Sequence, residues 1–543
     1  MRRMLPGWLP PWFGDGWRDL RGGWRRQHRP LTVMAVVVVV FLLFAGYLAQ
    51  SRSLGTNADG ASFVLQASDM LHGNWLLRGW WLSAMPVYTT ELPEYMLVEL
   101  ARGVSPDVIN VAGAATFTVL LLLAALLAKG RATGTEALAR VLITVGIMFA
   151  PGPPVSSGTL LNLPDHIGTQ VPLLLIWLAM DRLADRWYLP WLAGLLLTWV
   201  EIADQMAVYV GAAPVIVVSA IRLYQRRVSW RIDAGLLVAA AVSVIAAAGI
   251  QLVIRRSGGF VVVPTPAVFV PSAQMPHNLW LTVESGLALF GADFFGMRLG
   301  PAAAAVLLHF AGVGLVAWAC CIAARRLLSA ADRLVPVLFL GIAINLAAYL
   351  LSTQAMDLGS THELAAVLPF GAVLAGRLLP GRLVAAKLVP ALLAVLVCYM
   401  GVFAYYASRP ARPPATQAVA SWLLAHHLAA GLGDYWAANI TTVAAGGRVR
   451  VRPVTISCGR FAPYAWEAKE SWYQQPNTAT FLVLSPSSGG GPANGATAEA
   501  AAQFGPAQRT ARIGGYQVMV WDHDLIAAVT SGFPRGCGQR WLR

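Results

Sequence analysis

Apolar runs alternate with short polar stretches from about residue 31 to residue 406. The first, about 31–49, includes Val36–Val40 and is long enough to cross a bilayer. Others follow at about 107–128, 136–151 and 168–180, then at 233–254, 300–324, 333–352, 361–377 and 386–406. Residues 188–221 are apolar except for Glu201-Ile202-Ala203-Asp204-Gln205. One helix of that length would reach roughly 50 Å, against a hydrocarbon core of about 30 Å. The stretch therefore divides into two spans that turn near Glu201–Gln205. The pattern predicts an α-helical polytopic membrane protein with about eleven transmembrane helices.

Charge orients these spans. Residues 1–30 carry seven arginines with Trp8, Trp12, Trp17 and Trp24 among them, which predicts a cytoplasmic interfacial segment. Lys129 and Arg131, Arg182 and Arg186, Arg325, Arg326 and Arg333, and Arg377, Arg382 and Lys387 then fall on the same side. This is the positive-inside pattern. Loop 50–106 and the loops near 151–168, 201–205, 255–299 and 352–363 face outward, as does the C-terminal part. In loop 50–106, Asn74–Trp81 reads as an interfacial helix with an aromatic belt.

Hydropathy falls after Arg409-Pro410-Ala411-Arg412-Pro413-Pro414, a linker signature. The chain thus divides into a segment 1–30, a membrane domain 31–408 and a small extracytoplasmic α/β domain 409–543. In the last, Ser421–Ala430 suggests a helix. Arg448–Val454, Thr480–Ser485 and Tyr516–Asp522 read as strands. Ser485–Ala498 reads as a Gly/Ser/Pro-rich flexible loop. No nucleotide-binding fingerprint is present.

Composition narrows the function. The chain is 57% hydrophobic and 12% charged, with a mean hydropathy of +0.59. A net charge of +14 could suggest nucleic acid, but the cations sit at span ends, where they meet membrane lipid. Cys320, Cys321 and Cys398 fall within spans; Cys458 and Cys537, in the C-terminal domain, could form a disulfide.

The stretch Asp59–Trp75 carries the most specific signal. Phe63, Ala67, Met70 and Leu71 share one face at helical spacing. Asp59 stands at the start of that helix, where a carboxylate is favoured. The expected element is an amphipathic helix on the membrane surface with an acid at its tip. Asp59, Phe63, Ala67, Met70, Leu71 and then Gly73-Asn74-Trp75 resemble the first external loop of GT-C membrane glycosyltransferases, in the protein-mannosyltransferase and aminoarabinose-transferase branch. The family's second acid is Gly60 here. The resemblance implies a GT-C-like fold in a bacterial plasma (inner) membrane. It also implies a polyprenyl-phosphate sugar donor and an extracytoplasmic glycan, lipid or protein acceptor. Asp59 would be the catalytic base. Some members need a divalent metal and others do not; the pattern near Asp59 is of the second kind.

Asp59, Asp165, His166, Glu201, Asp204, Asp357, His362 and Glu363 all fall at outer span ends or outer loops. Ionisable groups at membrane depth usually serve a path or a site. Transfer needs a base for the acceptor hydroxyl and a cation for the leaving phosphate. Asp59 fits the first role, and direct attack with one carboxylate inverts the anomeric centre. Arg255 and Arg256 at an outer membrane edge suit the second, with Arg78 and Arg298 as alternates. Asp165 and His166 could orient the acceptor or hold a metal. In the family a late loop reads His-Arg-Tyr before an apolar run and proline. Here His362 is followed by Glu363, which leaves that loop's phosphate contact without its arginine. The same polar layout would serve a transporter or flippase, although no repeat of related halves is seen. A non-catalytic scaffold for envelope assembly is the third reading.

Overall fold

The computed structural model describes residues 29–162, 165–226, 229–265, 268–298, 300–328, 332–380, 385–486 and 493–531. The basic segment 1–28 lies outside them.

A helix occupies each predicted span. Six are long and apolar enough to cross a membrane: Val33–Arg52, Asp107–Lys129, Trp230–Arg256, Ala303–Arg326, Leu334–Leu351 and Lys387–Ala407. The bent pair Leu358–Leu364 and Val367–Leu378 makes up to seven. Gly134–Met148, Ile167–Arg182, Leu189–Ala203 and the stretch Val208–Tyr224 are shorter. The count of eleven crossings is therefore not reproduced by length and apolarity. The apolar stretch 188–221 does break, at Asp204, which leaves helical geometry with φ −154° and ψ 120°.

The loop after the first span is far more structured than an interfacial pair. Helix Ala58–Leu71 is buried on most of its faces rather than on one. Phe63, Val64, Ala67 and Met70 are buried, and so are the polar Ser62 and Gln66 on other faces. It packs between helix Glu91–Arg102 and helix Tyr435–Ala444 of the C-terminal domain. Its polar face meets a partner domain, so amphipathicity alone did not identify the surroundings. Asn74–Trp81 is not a helix. Leu77 (φ 47°) and Gly79 (φ 78°) turn the chain, and Trp80–Leu82 form a strand, β1. Trp80 and Trp81 are buried there rather than belted around the membrane.

Strand β1 pairs in parallel with β2 (Val261–Val262) and antiparallel with a short C-terminal strand, Ala468–Lys469. Three distant loops are thus joined by backbone hydrogen bonds. Lys469 Nζ adds an ion pair to Asp69 at 2.9 Å, and Asn439 Nδ2 donates to Ser62 Oγ at 2.9 Å.

The C-terminal domain is a six-stranded sheet. In sequence its strands are β3 (Ala430–Asp434), β4 (Arg450–Ser457), β5 (Arg460–Pro463), β6 (the Ala468–Lys469 strand already described, which lies outside this sheet), β7 (Phe481–Leu484), β8 (Arg509–Ile513) and β9 (Tyr516–Val520). Their order across the sheet is β5-β4-β3-β7-β9-β8. Strand β3 runs parallel to β4 and β7; the other neighbours are antiparallel. Side chains alternate between two cores. Phe481 and Val483 pack with Val419 and Leu423 on one face, and Leu482 and Leu484 with Phe504 and Ile526 on the other. A strand covered on both faces reads as a continuous apolar run. The expected loop 485–498 is partly helix, since Ala493–Phe504 is helical and covers one face of the sheet. Loop 255–299 likewise holds a helix, Met275–Leu289. Cys320, Cys321 and Cys398 are free; Cys458 is disulfide-bonded, and Cys537 lies outside the described residues.

Candidate active site

Between the loop ends of the helices and the C-terminal sheet lies a cavity of about 1140 Å³. It receives Asp59 from the first loop, Asp165 and His166 from the second, and Asp204 from the third. His362 and Glu363 come from the 3₁₀ turn Leu358–Leu364. The C-terminal domain supplies Asp434, Tyr435, Trp436, Tyr464, Trp466 and Glu467.

Asp59 does not cap its helix. Asn57 is the N-cap, and its Oδ1 accepts from Gly60 N–H at 2.9 Å. The Asp59 carboxylate is therefore left for the cavity. It accepts a hydrogen bond from the Tyr435 hydroxyl and a longer one from Asn57 Nδ2 at 3.3 Å. Burial first, and then the nearby Asp165, push its pKa up to about 7; the Tyr435 bond and His362 pull it back.

His166 holds a left-handed backbone (φ 60°) just before helix Ile167–Arg182. Few non-glycine residues adopt that geometry, and it aims the ring into the cavity. Its Nδ1 lies 2.8 Å from Asp204 Oδ2. Asp204 is buried and also accepts from Thr169 Oγ1 at 2.5 Å and Met206 N–H at 2.8 Å. A carboxylate only accepts, so Nδ1 carries the proton and Nε2 is presented forward. Burial opposes a charged ring here, but Asp204 and Glu363 outweigh it and hold the His166 pKa well above its ordinary value.

His362 repeats the device. Its Nδ1 donates to the Gly359 carbonyl at 2.8 Å, which also leaves Nε2 forward. The two rings stack with centroids 5.8 Å apart. Glu363 lies between them, 3.6 Å from His166 Nε2 and 3.9 Å from His362 Nε2. These three ligand atoms lie within 4.8 Å of one another. Asn345, buried behind them, donates to the Glu363 carbonyl at 2.7 Å, while its own Oδ1 has no hydrogen-bond partner among the described residues. The donor set, two imidazoles oriented from behind plus a carboxylate, suits a divalent cation.

The expected cations are elsewhere. Arg78, Arg255, Arg256 and Arg298 are exposed and none lines the cavity. Among the described residues, no lysine or arginine lines it, although the chain has 40. Arg255 and Arg256 follow Ile254, the last residue of the buried stripe Leu236, Ala240, Ser243, Ala247 of their helix, and so turn away from the bundle. The structure brings Asp59, Asp165, His166, His362 and Glu363 together. It places Asp204, one of the outer polar groups, behind His166, and adds Tyr435 and Glu467 from the C-terminal domain. Nothing in the sequence near Tyr435 or Glu467 marks a site, because their partners lie in a loop some 400 positions earlier; Gln66 and Glu467 are 401 residues apart.

No family model matches this sequence, and no curated protein matches it. Among solved structures, the chain is similar to the apo crystal structure of the Archaeoglobus fulgidus oligosaccharyltransferase, at 11% identity. The match covers 85% of this chain and 70% of that one, with a TM-score of 0.43. A likeness this loose assigns neither residues nor activity.

Proposed function

We propose that the chain is a membrane glycosyltransferase. It moves a sugar from a polyprenyl-phosphate donor to an acceptor at the outer face, with inversion. The observation that carries this reading is the cavity itself. Loops of the membrane domain and several stretches of the C-terminal domain converge there around one carboxylate whose proton affinity suits a base near neutral pH. A general base works best with a pKa near the working pH. Asp59 takes the proton of the acceptor hydroxyl as that oxygen attacks the anomeric carbon. The phosphate–sugar bond breaks and the phosphate leaves.

The leaving phosphate needs positive charge, and the cavity offers no arginine or lysine among its described residues. Once its Nε2 proton is released, His166 would hold a divalent cation together with His362 and Glu363, and that cation would supply Lewis-acid stabilisation of the phosphate. Asp204 and the Gly359 carbonyl fix the two rings for it. This reassigns the phosphate-handling role from arginines at span ends to ring nitrogens inside the cavity.

The test is transfer from a radiolabelled polyprenyl-phosphate sugar to endogenous acceptor in membranes. Asp59→Asn is expected to lower the rate by about 10²–10⁴ with the protein still in the membrane. Transfer at the wild-type rate removes Asp59 as the base. Proteoliposome transport of the lipid-linked sugar with no glycosylated product replaces the transferase reading with a transporter.

A further inference from the structure

The two walls of the cavity differ in kind. The membrane-domain wall gathers Asp59, Asp165, His166, Asp204, His362 and Glu363 beside Tyr209 and Tyr349. The C-terminal wall carries aromatic faces: Tyr435 packs edge-on against Trp436 and Tyr464, with ring centroids 5.2 and 5.6 Å apart. Trp436 and Trp466 line the same space. Trp436 lines the cavity and is 61% exposed. Leaving that much indole in water forgoes stabilisation of about 25 cal/mol per Å². A ligand that covers the ring recovers it.

From this wall we infer that the cavity holds a subsite for an uncharged sugar ring, the acceptor's, stacked on Trp436 and Tyr464. The inference rests on the transferase reading and narrows it to glycan acceptors. An aromatic face carries negative quadrupole charge and attracts the polarised C–H face of a sugar. Sugar hydroxyls can donate to the surrounding carboxylates, which only accept. The lining holds six carboxylates, Asp59, Asp165, Asp204, Glu363, Asp434 and Glu467, and no lysine or arginine among its described residues. A uronate or phosphorylated ring stacked on Trp436 would meet Asp434, whose carboxylate accepts from Trp436 N–H at 3.1 Å, and like charge at close quarters is costly. A purely apolar chain would desolvate those acids without replacing their hydrogen bonds. An uncharged polyol ring satisfies both constraints.

The test uses the full chain in nanodiscs without donor, by saturation-transfer NMR. The probes are methyl α-mannopyranoside, methyl β-galactopyranoside and methyl α-arabinofuranoside, with methyl glucuronide and a serine-containing peptide beside them. At least one neutral glycoside is expected to bind, and the glucuronide to bind at least tenfold more weakly. Trp436→Ala should weaken the neutral glycoside about tenfold, while Trp436→Phe keeps most of the affinity. The exposed ring makes misfolding of Trp436→Ala easy to exclude by an unchanged melting temperature. Equal binding of the glucuronide, binding of the peptide alone, no glycoside bound, or an unaffected Trp436→Ala overturns the subsite. If the unmutated chain binds the glycoside but yields no glycosylated product from the polyprenyl-phosphate sugar, the transferase reading falls and the subsite stands.

Discussion

Helix Ile167–Arg182 has a carboxylate cluster at each end, about 24 Å apart by its length, and the two clusters are built differently. At the far end, Asp181 meets Arg377 at 2.6 Å. Nearby, Asp233 is wholly buried between Arg222 at 3.0 Å and Arg333 at 2.6 Å. Arg333 and Arg377 also donate to the carbonyls of Ala184 and Leu127. At the cavity end, no arginine pairs with Asp59, Asp165 or Asp204 among the described residues; a histidine, hydroxyls, an amide and a backbone N–H attend Asp59 and Asp204. The first arrangement neutralises charge and ties helices together. The second pairs Asp204 with His166 but leaves Asp59 and Asp165 without a guanidinium or ammonium partner and open to a ligand. Acidic residues in one membrane protein thus serve as mortar at one end and as reagents at the other.

Removing charge should separate the two ends. The largest effect on stability is expected at the far end. Asp233→Asn strands two buried guanidinium groups and should cost about 3–5 kcal/mol. Thermal unfolding in nanodiscs reads this, and transfer per folded molecule should stay near wild type. A stable Asp233→Asn with lost transfer would reverse the assignment of the two ends. At the cavity end, Asp204→Asn keeps the shape but loses the charge behind His166. Mn²⁺ affinity, measured by titration calorimetry, should fall about 10–100-fold. No change would mean that His166 is not a ligand.

The smallest effect concerns the interface with the C-terminal domain. Glu467 accepts from Ser83 N–H at 2.7 Å and from Gln66. Burial raises its pKa from 4.5 to about 7. Between these values the folded chain keeps a proton that the unfolded chain has released. Stability therefore falls as pH rises through that window, by up to about 1.4 kcal/mol per pH unit from this group. Glu467→Gln should flatten the slope of melting temperature between pH 5 and 7. An unchanged slope would show that this carboxyl is not held protonated at the interface.

Much of the cavity's ionic half was legible in the sequence. Counting spans placed Asp59, Asp165, His166, His362 and Glu363 on one side, because period and charge asymmetry act locally along the chain. Loop 188–221 also broke where length and polarity required. Three things were hidden. The aromatic half depends on contacts across 376 residues, as between Asp59 and Tyr435, and no local pattern encodes them. Arg255 and Arg256 looked suitable because the chemistry asks for a cation, yet a helix end has several directions, and these two point outward. The metal-type cluster was hidden for a related reason. His166 and Glu363 are 197 positions apart, and their pairing depends on how two loops fold over the same cavity.

The difference between the two ends is tested most directly by the melting temperature of Asp59→Asn in nanodiscs at pH 8, above the Asp59 pKa of about 7. An uncompensated, partly buried carboxylate kept for chemistry should be dispensable for folding, so the variant is expected to melt at or above the wild-type temperature. A fall as large as that of Asp233→Asn would contradict the account and make Asp59 a structural residue.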